Sequence, residues 1–356
     1  MNRVRLLVGT KRGLFTFTSD PGRRSWAALP PDLIGREVYF VGEDRLTGML
    51  WASTTHRIWG AHLFRSGDRG ESWQMLESAP QHPDDRALMA IWSIAASNGG
   101  VRMLWAGTEP AGLFSSSDDG ESWQSVTGLN EHPTVSAWQA AGGALALHSI
   151  MVDPRDARRM YCAVSAGGCY RSDDGGTSWR PINRNVRADF LPQRFPDAGQ
   201  CVHKLVVHPR ARARLYQQNH CGVYRSDDAG DSWTEITSNL PSDYGYALAT
   251  DPANPDTAFV IPEASSHMRT TVAGKLRVYR TDDAGASWVS VSNGLPQENA
   301  YQSVLREAMT SDTLEPCGVY FGTSGGHLFA SNDRGDHWQM IAGFLPRIIG
   351  VSAVLL

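Results

Sequence analysis

The apolar residues of this chain fall into short runs that end at Asp, Pro or Gly, and the runs come in groups of three. One run ends at the turn Val152-Asp153-Pro154, the next covers 160–164, and the third covers 168–171. Runs this short, bounded by turn residues, predict β-strands rather than helices. The pattern therefore predicts an all-β chain built from small antiparallel sheets.

A motif of the form Ser/Thr-x-Asp-x-Gly-x-x-Trp follows the third run of each group. It occurs six times, and its tryptophans lie 50 to 56 residues apart, at Trp73, Trp123, Trp179, Trp233, Trp288 and Trp338. A degenerate seventh copy leads from Phe15 to Trp26, which lies 47 residues before Trp73. A period of this size is typical of a repeat fold such as a β-propeller.

Each motif is expected to form a hairpin turn that leads into a fourth strand. The Asp carboxylate accepts hydrogen bonds from N–H groups of the turn, Gly supplies a positive φ, and Trp packs between neighbouring sheets. A group repeated in every unit serves the fold, whereas a catalytic group is needed once. We therefore expect the motif aspartates to lie outside the functional site.

Seven runs qualify as the innermost strand of a propeller blade. They cover 38–42, 90–96, 147–153, 202–208, 246–251, 303–309 and 348–355. The last run has no motif after it, and the degenerate first hairpin has no innermost strand before it. We predict that the two chain ends share one blade, because this pairing removes an exposed sheet edge. The result is one seven-bladed β-propeller domain over residues 1–356, with four-stranded antiparallel blades.

The motif resembles the Asp-box, or BNR, repeat, and the chain resembles the sialidase-like glycosyl hydrolase propellers and the photosystem-assembly-factor propellers that carry it. This resemblance covers nearly the whole chain, and it implies either a carbohydrate-active enzyme or a binding scaffold. Sialidases have six blades and an early Arg-Ile-Pro motif, which is absent here, so a typical sialidase is not expected. The chain also resembles seven-bladed polysaccharide lyases, which place His, Gln, Tyr and Arg around a bound uronate, sometimes with a metal.

Composition and charge narrow the expected partners. With 33 basic and 37 acidic residues the net charge is −4, so no broad basic surface is expected and nucleic acid is not a predicted partner. Strand-like sequence starts at Val4 and no apolar stretch reaches the length of a membrane span, so no membrane association is predicted. The five cysteines show no CxxC spacing, which favours a reducing cytoplasmic location.

The functional site is expected among the loops of one propeller face, which rigid sheets hold in place. Three of these loops are long, at 127–145, 183–200 and 262–275. Aligning the innermost strands on their turn residues places His148, His203 and Tyr246 in register near the channel mouth, with Trp92 as a counterpart.

Further polar residues are expected on the same face. His220 and Glu109 belong to loops between second and third strands, and the other candidate ligand-binding residues are Lys11, His132, Gln218, Asn219, Arg306 and Glu307. We predict that His148, His203 and His220 bind a divalent metal such as Zn, Mn or Fe, or that two of them act as acid and base. The alternative is that these histidines only hydrogen-bond neighbouring loops. Cys201 and Cys221 stand beside two of them as further candidate nucleophiles.

These residues favour a catalytic site that includes His148, His203, His220, Glu109, Tyr246 and Arg306. Mixed His, Glu, Arg and Lys in polar loops suit a sugar-like or acidic small molecule. We therefore predict a carbohydrate-active enzyme of glycosidase or lyase type. The alternative is a non-catalytic scaffold that binds a protein partner.

Overall fold

The computed structural model describes residues 3–98, 101–139, 143–211 and 213–356. In this part of the chain, 28 strands form seven four-stranded antiparallel sheets, which are the blades of a β-propeller. The predicted fold class is therefore confirmed. Within the described ranges, helical structure is confined to α1 (Thr127–Asn130) and two short 3-10 turns, Pro133–Ala137 and Val272–Gly274, and none of these helices is long enough to cross a bilayer.

The strands of each blade follow one another in sequence from the channel outwards, with one exception in blade 1. Blade 1 contains β28 (Ile348–Leu355), β1 (Val4–Thr10), β2 (Gly13–Ser19) and β3 (Trp26–Ala28). Blade 2 contains β4 (Glu37–Asp44), β5 (Met49–His56), β6 (Gly60–Ser66) and β7 (Gln74–Met75). Blade 3 contains β8 (Ala90–Asn98), β9 (Arg102–Glu109), β10 (Gly112–Ser116) and β11 (Gln124–Ser125).

The remaining blades repeat the same order. Blade 4 contains β12 (Leu147–Asp153), β13 (Asp156–Val164), β14 (Gly168–Ser172) and β15 (Arg180–Pro181). Blade 5 contains β16 (Val202–Val207), β17 (Leu215–Asn219), β18 (Gly222–Ser226) and β19 (Thr234–Glu235). Blade 6 contains β20 (Gly245–Thr250), β21 (Ala258–Pro262), β22 (Tyr279–Thr281) and β23 (Val289–Ser290). Blade 7 contains β24 (Met309–Ser311), β25 (Val319–Gly322), β26 (Leu328–Ser331) and β27 (Gln339–Ala342).

The ring closes through blade 1, as predicted. Strand β28 pairs antiparallel with β1, from Val4 opposite Leu355 to Thr10 opposite Ile348. The hairpin between β2 and β3 adds a second link, because Arg23 donates to Asp312 of blade 7 at 2.9 Å. Both side chains are buried, at 7% and 1% exposure. Loss of either partner would therefore leave an unpaired buried charge and destabilise the closed ring.

The hydrophobic core lies between neighbouring blades rather than at the channel. Because successive side chains of a strand point to opposite faces, Leu6 packs in the cluster that contains Phe321 of blade 7. Its neighbour Leu7 packs in the cluster that contains Phe64 of blade 2. Sheets buried on both faces account for the nearly continuous apolar runs in the sequence.

The motif hairpins form as the sequence indicates. The Asp118 carboxylate accepts hydrogen bonds from the Ser122 hydroxyl, the Ser116 hydroxyl and the Ser122 amide at 2.6 to 2.9 Å. These bonds, led by that of the Ser122 hydroxyl, lower the pKa of Asp118 to about 2. Three motif tryptophans donate to a carbonyl of the preceding blade, namely Trp233 to Ile182, Trp288 to Ile236 and Trp338 to Val291. The motif thus joins blades to one another.

One predicted strand differs from the structure. The run 303–309 was expected to form the innermost strand of blade 7, but β24 begins only at Met309. The Ala308 amide donates to the Leu305 carbonyl at 2.9 Å, which closes a turn instead of continuing the ladder. This turn frees the segment before β24 to reach the channel mouth.

Candidate functional site

A β-bulge recurs at the same level of five innermost strands. The register shifts between Val38 and Phe40, and at the equivalent place in β8, β12, β16 and β20. The extra residues are Tyr39, Trp92, His148, His203 and Tyr246. A bulge re-aims a side chain out of the ladder and is common beside active sites. The sequence alignment of His148, His203, Tyr246 and Trp92 therefore corresponds to a shared structural position.

A cavity of about 430 Å³ opens at the channel mouth. It is lined by Lys11, Tyr39, Trp92, Tyr246, Arg269, Ser303, Leu305, Arg306, Ser324, Arg347 and Ile349. Four of these residues are cationic and three are aromatic, and within the described residues no carboxylate lines the cavity. Cations and aromatic faces without an acid suit an anionic ligand that carries apolar ring faces.

Arg306 lies over two of the aromatic residues. Its guanidinium carbon is 5.2 Å from the centre of the Trp92 ring and 5.7 Å from that of Tyr246, which are cation–π distances. The Nη1 atom is buried without a hydrogen-bond partner in the described part of the chain. Arg306 therefore retains a donor that an acidic ligand can use.

A second group of charged side chains lies around Lys11 and Tyr39, which also line the cavity. Lys11 forms an ion pair with Glu37, and its ammonium lies 5.4 Å from the centre of the Tyr39 ring. Burial opposes the charge, but the hydrogen bond to Glu37 raises the pKa of Lys11. The Trp92 indole donates to Glu109 Oε2 at 2.9 Å and packs edge-on against Tyr39. Glu109 therefore orients Trp92 from outside the lining of the cavity.

Glu263 is a buried acid that sequence reasoning missed. It follows β21 and is 1% exposed, and neither carboxylate oxygen has a hydrogen-bond partner among the described residues. Burial raises the pKa of Glu263 to about 7, although Ser303, the Val304 amide and two cavity arginines nearby oppose the rise. The only sequence signal was its position in the long 262–275 loop, which also supplies Arg269 to the cavity.

His148 lies at the bulge level but does not line the cavity. Its Nε2 donates to the Val202 carbonyl at 2.9 Å, and its Nδ1 lies 3.0 Å from the Ser149 hydroxyl. Burial, followed by the nearby positive charge of Arg306, holds the pKa of His148 well below its usual range. Both ring nitrogens are engaged, so His148 connects blades 4 and 5 and is not free to bind a metal. For His148, the structure therefore agrees with the alternative that the histidine only forms hydrogen bonds to neighbouring segments of the fold.

His203 and His220 do come together, with Cys201 in the place expected for His148. The ring centres of the two histidines are 5.6 Å apart, and Cys201 Sγ lies 3.5 Å from His203 Nε2. One ligand atom from each of the three residues falls within 4.8 Å of the others. Burial lowers the pKa of both imidazoles, with Arg306 adding to the effect at His203 and Arg269 at His220. The predicted three-histidine centre is thus replaced by a Cys-His-His cluster.

The remaining predicted ligand residues lie outside the mouth cavity. Gln218 and Asn219 are buried in β17, where the Gln218 amide donates to the Asn219 carbonyl at 2.9 Å. Glu307 forms an ion pair with Lys204 below the mouth, where both line a second cavity of about 240 Å³. His132 caps the 3-10 turn Pro133–Ala137, with its Nδ1 2.8 Å from the Thr134 hydroxyl. Gln218, Asn219 and His132 thus contribute to the fold, and Glu307 faces a different cavity.

The long loops contribute unequally. The 183–200 loop packs Phe190 against His220, with ring centres 5.2 Å apart. The 127–145 loop buries Trp138, whose indole donates to the Tyr170 hydroxyl at 2.8 Å. Residues 140–142 of that loop lie outside the described residues. Among the described residues of these three loops, only Arg269 of the 262–275 loop lines the cavity.

Comparison with known proteins places the fold beside carbohydrate-active propellers. No family model matches the chain. It is 21% identical over 192 residues to a xyloglucanase of Hypocrea jecorina, covering 53% of this chain and 20% of that protein. It is 28% identical over 180 residues to an oligoxyloglucan-reducing end-specific xyloglucanase of Emericella nidulans, covering 47% and 19%. The chain thus matches only about a fifth of the length of these curated relatives.

Solved structures agree on the architecture. The GH74 enzyme of Niastella koreensis superposes with a TM-score of 0.61 at 18% identity, over 98% of this chain and 54% of that one. The structure of YCF48 bound to a D1 peptide superposes with a TM-score of 0.50 at 12% identity, over 95% and 85%. At these identities the structural likeness shows the fold alone. The fold and the site together define the class of this protein as a seven-bladed β-propeller with a cationic, aromatic channel mouth.

Proposed function

We propose that the mouth cavity binds an acidic carbohydrate and that the chain acts on it as a carbohydrate-active enzyme. The observation that carries this proposal is the lining of the cavity, which holds four cations and three aromatic rings but no carboxylate in the described residues. Arginine forks recognise a carboxylate or phosphate through paired hydrogen bonds, and aromatic faces pack against the apolar faces of sugar rings.

The xyloglucanase relatives support carbohydrate as the substrate class. Hydrolysis of a glycoside ordinarily needs two carboxyl groups that flank the scissile bond. Glu37, Glu109 and Glu263 stand next to residues of the lining, but none of these three acids lines the cavity itself. In a hydrolase of this kind, two of these carboxyl groups would have to reach the ligand by side-chain movements.

Elimination from a uronate is the reaction that the lining itself favours. In that reaction, the proton on the carbon next to the carboxylate is removed, its electron pair forms a double bond, the bond to the leaving sugar oxygen breaks, and that oxygen takes up a proton. Cations that neutralise the carboxylate make the proton more acidic, and Arg306, Arg269 and Arg347 are placed for this role. The Tyr246 hydroxyl, which accepts a hydrogen bond from Tyr244 at 2.5 Å, is the candidate proton carrier.

Product analysis separates these reactions. The purified protein is incubated with a polyuronate and, in parallel, with xyloglucan, and products are scored both as unsaturated sugars and as new reducing ends. Unsaturated products from the polyuronate support elimination, and saturated reducing ends support hydrolysis. Failure of both polymers to bind or react would overturn the proposal.

A binding scaffold is the second candidate function. The loops of the mouth face expose several large apolar side chains, of which Phe344 is 95% exposed, and the others include Ile58, Trp59, Met268 and Tyr301. Sequence reasoning did not expect such a rim, because its members are far apart in the chain. Exposed apolar groups around a cavity favour a macromolecular partner. Saccharide binding without any turnover would support this second candidate.

A further inference from the structure

We propose that Cys201, His203 and His220 form a zinc site beside the mouth cavity. One ligand atom from each residue lies within 4.8 Å of the other two. Tetrahedral zinc with Zn–N near 2.0–2.1 Å and Zn–S near 2.3 Å places neighbouring ligand atoms about 3.3–3.6 Å apart. The observed distance of 3.5 Å between Cys201 Sγ and His203 Nε2 already matches this geometry. Only the His220 ring has to approach.

His203 is oriented as a metal ligand by its other nitrogen. Its Nδ1 lies 2.6 Å from the Gly245 carbonyl oxygen and donates to it, so the neutral ring presents an unprotonated Nε2 towards Cys201. Histidine ligands in proteins usually have such a second hydrogen bond, which fixes the tautomer and the ring plane. The bulge of β16 aims the ring out of the ladder at the same time.

His220 is held close by the backbone while its ring nitrogens stay free. The His220 amide donates to the Cys201 carbonyl at 2.9 Å, which ties the turn after β17 to the start of blade 5. The ring packs against Tyr244 and Phe190 at centre distances of 5.1 and 5.2 Å. Neither ring nitrogen forms a hydrogen bond to another described residue. A simple thiol–imidazole hydrogen bond explains the contact between Cys201 and His203, but it leaves the ring nitrogens of His220 unused.

The ligand types in the cluster also suit zinc. Cys sulfur and His nitrogen are both preferred zinc ligands, and a bound Cys thiolate offsets one of the two positive charges of the ion. Cys201 with two histidines therefore suits zinc better than three neutral histidines would.

The position of the cluster gives the site access to ligand. The His203 ring centre is 4.5 Å from that of Tyr246, which lines the mouth cavity. Three protein ligands leave a fourth coordination position for water or substrate, as in catalytic rather than structural zinc sites. This inference is independent of which saccharide the cavity binds.

Metal analysis of the purified chain tests the site. After EDTA treatment, zinc loading and dialysis, we expect one zinc per chain in the wild type and in the control Cys317→Ser, whose buried thiol lies outside the cluster. We expect Cys201→Ser and His220→Ala to bind zinc at least about tenfold more weakly. With cobalt in place of zinc, a thiolate-to-cobalt absorption band should appear in the wild type and be absent from Cys201→Ser.

A second readout covers the case in which Cys201→Ser does not fold. Zinc should protect Cys201 from alkylation by iodoacetamide in the folded wild type, as measured by peptide mass spectrometry, and this protection should be lost in His220→Ala. Wild-type protein that holds no zinc and shows no cobalt–thiolate band would overturn the proposal. Zinc binding that is unchanged in both variants would overturn it as well.

Discussion

The guanidinium carbon of Arg306 lies 5.2 Å from the centre of the Trp92 ring, although the two residues belong to blades 7 and 3. The contact spans the channel mouth, and the Tyr246 ring lies within 5.7 Å of the same guanidinium. The irregular segment before β24 makes this reach feasible, because a regular strand would hold Arg306 in the ladder. The mouth cavity is therefore organised around one cation held between aromatic faces.

Removing that cation should weaken binding of an acidic saccharide. We expect Arg306→Ala to lower affinity by at least about tenfold, since a charge-assisted hydrogen bond contributes about 1.5–3 kcal/mol. The affinity of Arg306→Lys should lie between those of the wild type and Arg306→Ala, because a lysine keeps the charge but lacks the planar guanidinium. Isothermal titration measures both affinities, with Arg158→Ala, an exposed position in β13 of blade 4, as the control. Equal affinity in Arg306→Ala and wild type would exclude Arg306 from the site.

Deleting residues 348–356 should unfold or aggregate the protein. The deletion removes β28, including the buried Ile348, Val351 and Val354, and exposes the edge of β1. Size-exclusion chromatography and thermal unfolding report the outcome, with deletion of Leu356 alone as the control. A soluble truncated chain with an unchanged melting temperature would show that closure through β28 is dispensable.

The motif aspartates should matter for stability and not for binding. Asp174→Ala removes the hydrogen bonds from Ser178 and Ser172, at the hairpin face away from the mouth. Since Asp174 is exposed, we expect a loss of about 1 kcal/mol in the free energy of unfolding, with ligand affinity unchanged in the folded protein. Urea denaturation and titration measure the two quantities. Lost affinity at full stability would place the motif in the site.

Glu263 should make stability depend on pH. Its folded pKa of about 7 lies above the ordinary value of 4.5, so the folded state binds the proton more tightly than the unfolded state does. The stabilisation is complete below about pH 4.5 and is lost as the pH rises through 7. Glu263→Gln removes this dependence. As the pH rises from 4.5 to 8.5, the free energy of unfolding of the variant should therefore increase by up to about 3 kcal/mol relative to that of the wild type. Urea denaturation at the two pH values measures it, and parallel stabilities would show that Glu263 titrates normally.

The blade plan could be predicted because it repeats. The motif recurs about every 50 to 56 residues, and each unit shows the same group of short apolar runs before it, so an ambiguous unit can be assigned from the others. The seventh blade also followed from the unpaired halves at the two chain ends. The exception was 303–309, where a single turn between Leu305 and Ala308 breaks the pattern and no repeat signals it.

The site could be predicted only in part, because it depends on features that occur once. Inner-strand register correctly placed His203 beside Tyr246, but it could not show that both nitrogens of His148 are used within the fold. Neither could it show that His203 is buried, so His203→Ala should cost stability as well as any metal affinity. Glu263 was missed because its place in the long 262–275 loop does not show that its side chain is buried.

The mouth cavity should select acidic over neutral sugars, because four cations and no described carboxylate line it. The most direct measurement is a pair of calorimetric titrations, with a galacturonate oligosaccharide and with its carboxyl-reduced galactose counterpart, repeated at low and high salt. We predict that the acidic sugar binds at least about tenfold more tightly at low salt and that added salt reduces this preference. Equal affinity for the two sugars, or tighter binding of the neutral one, would contradict the assignment of the four cations to ligand recognition.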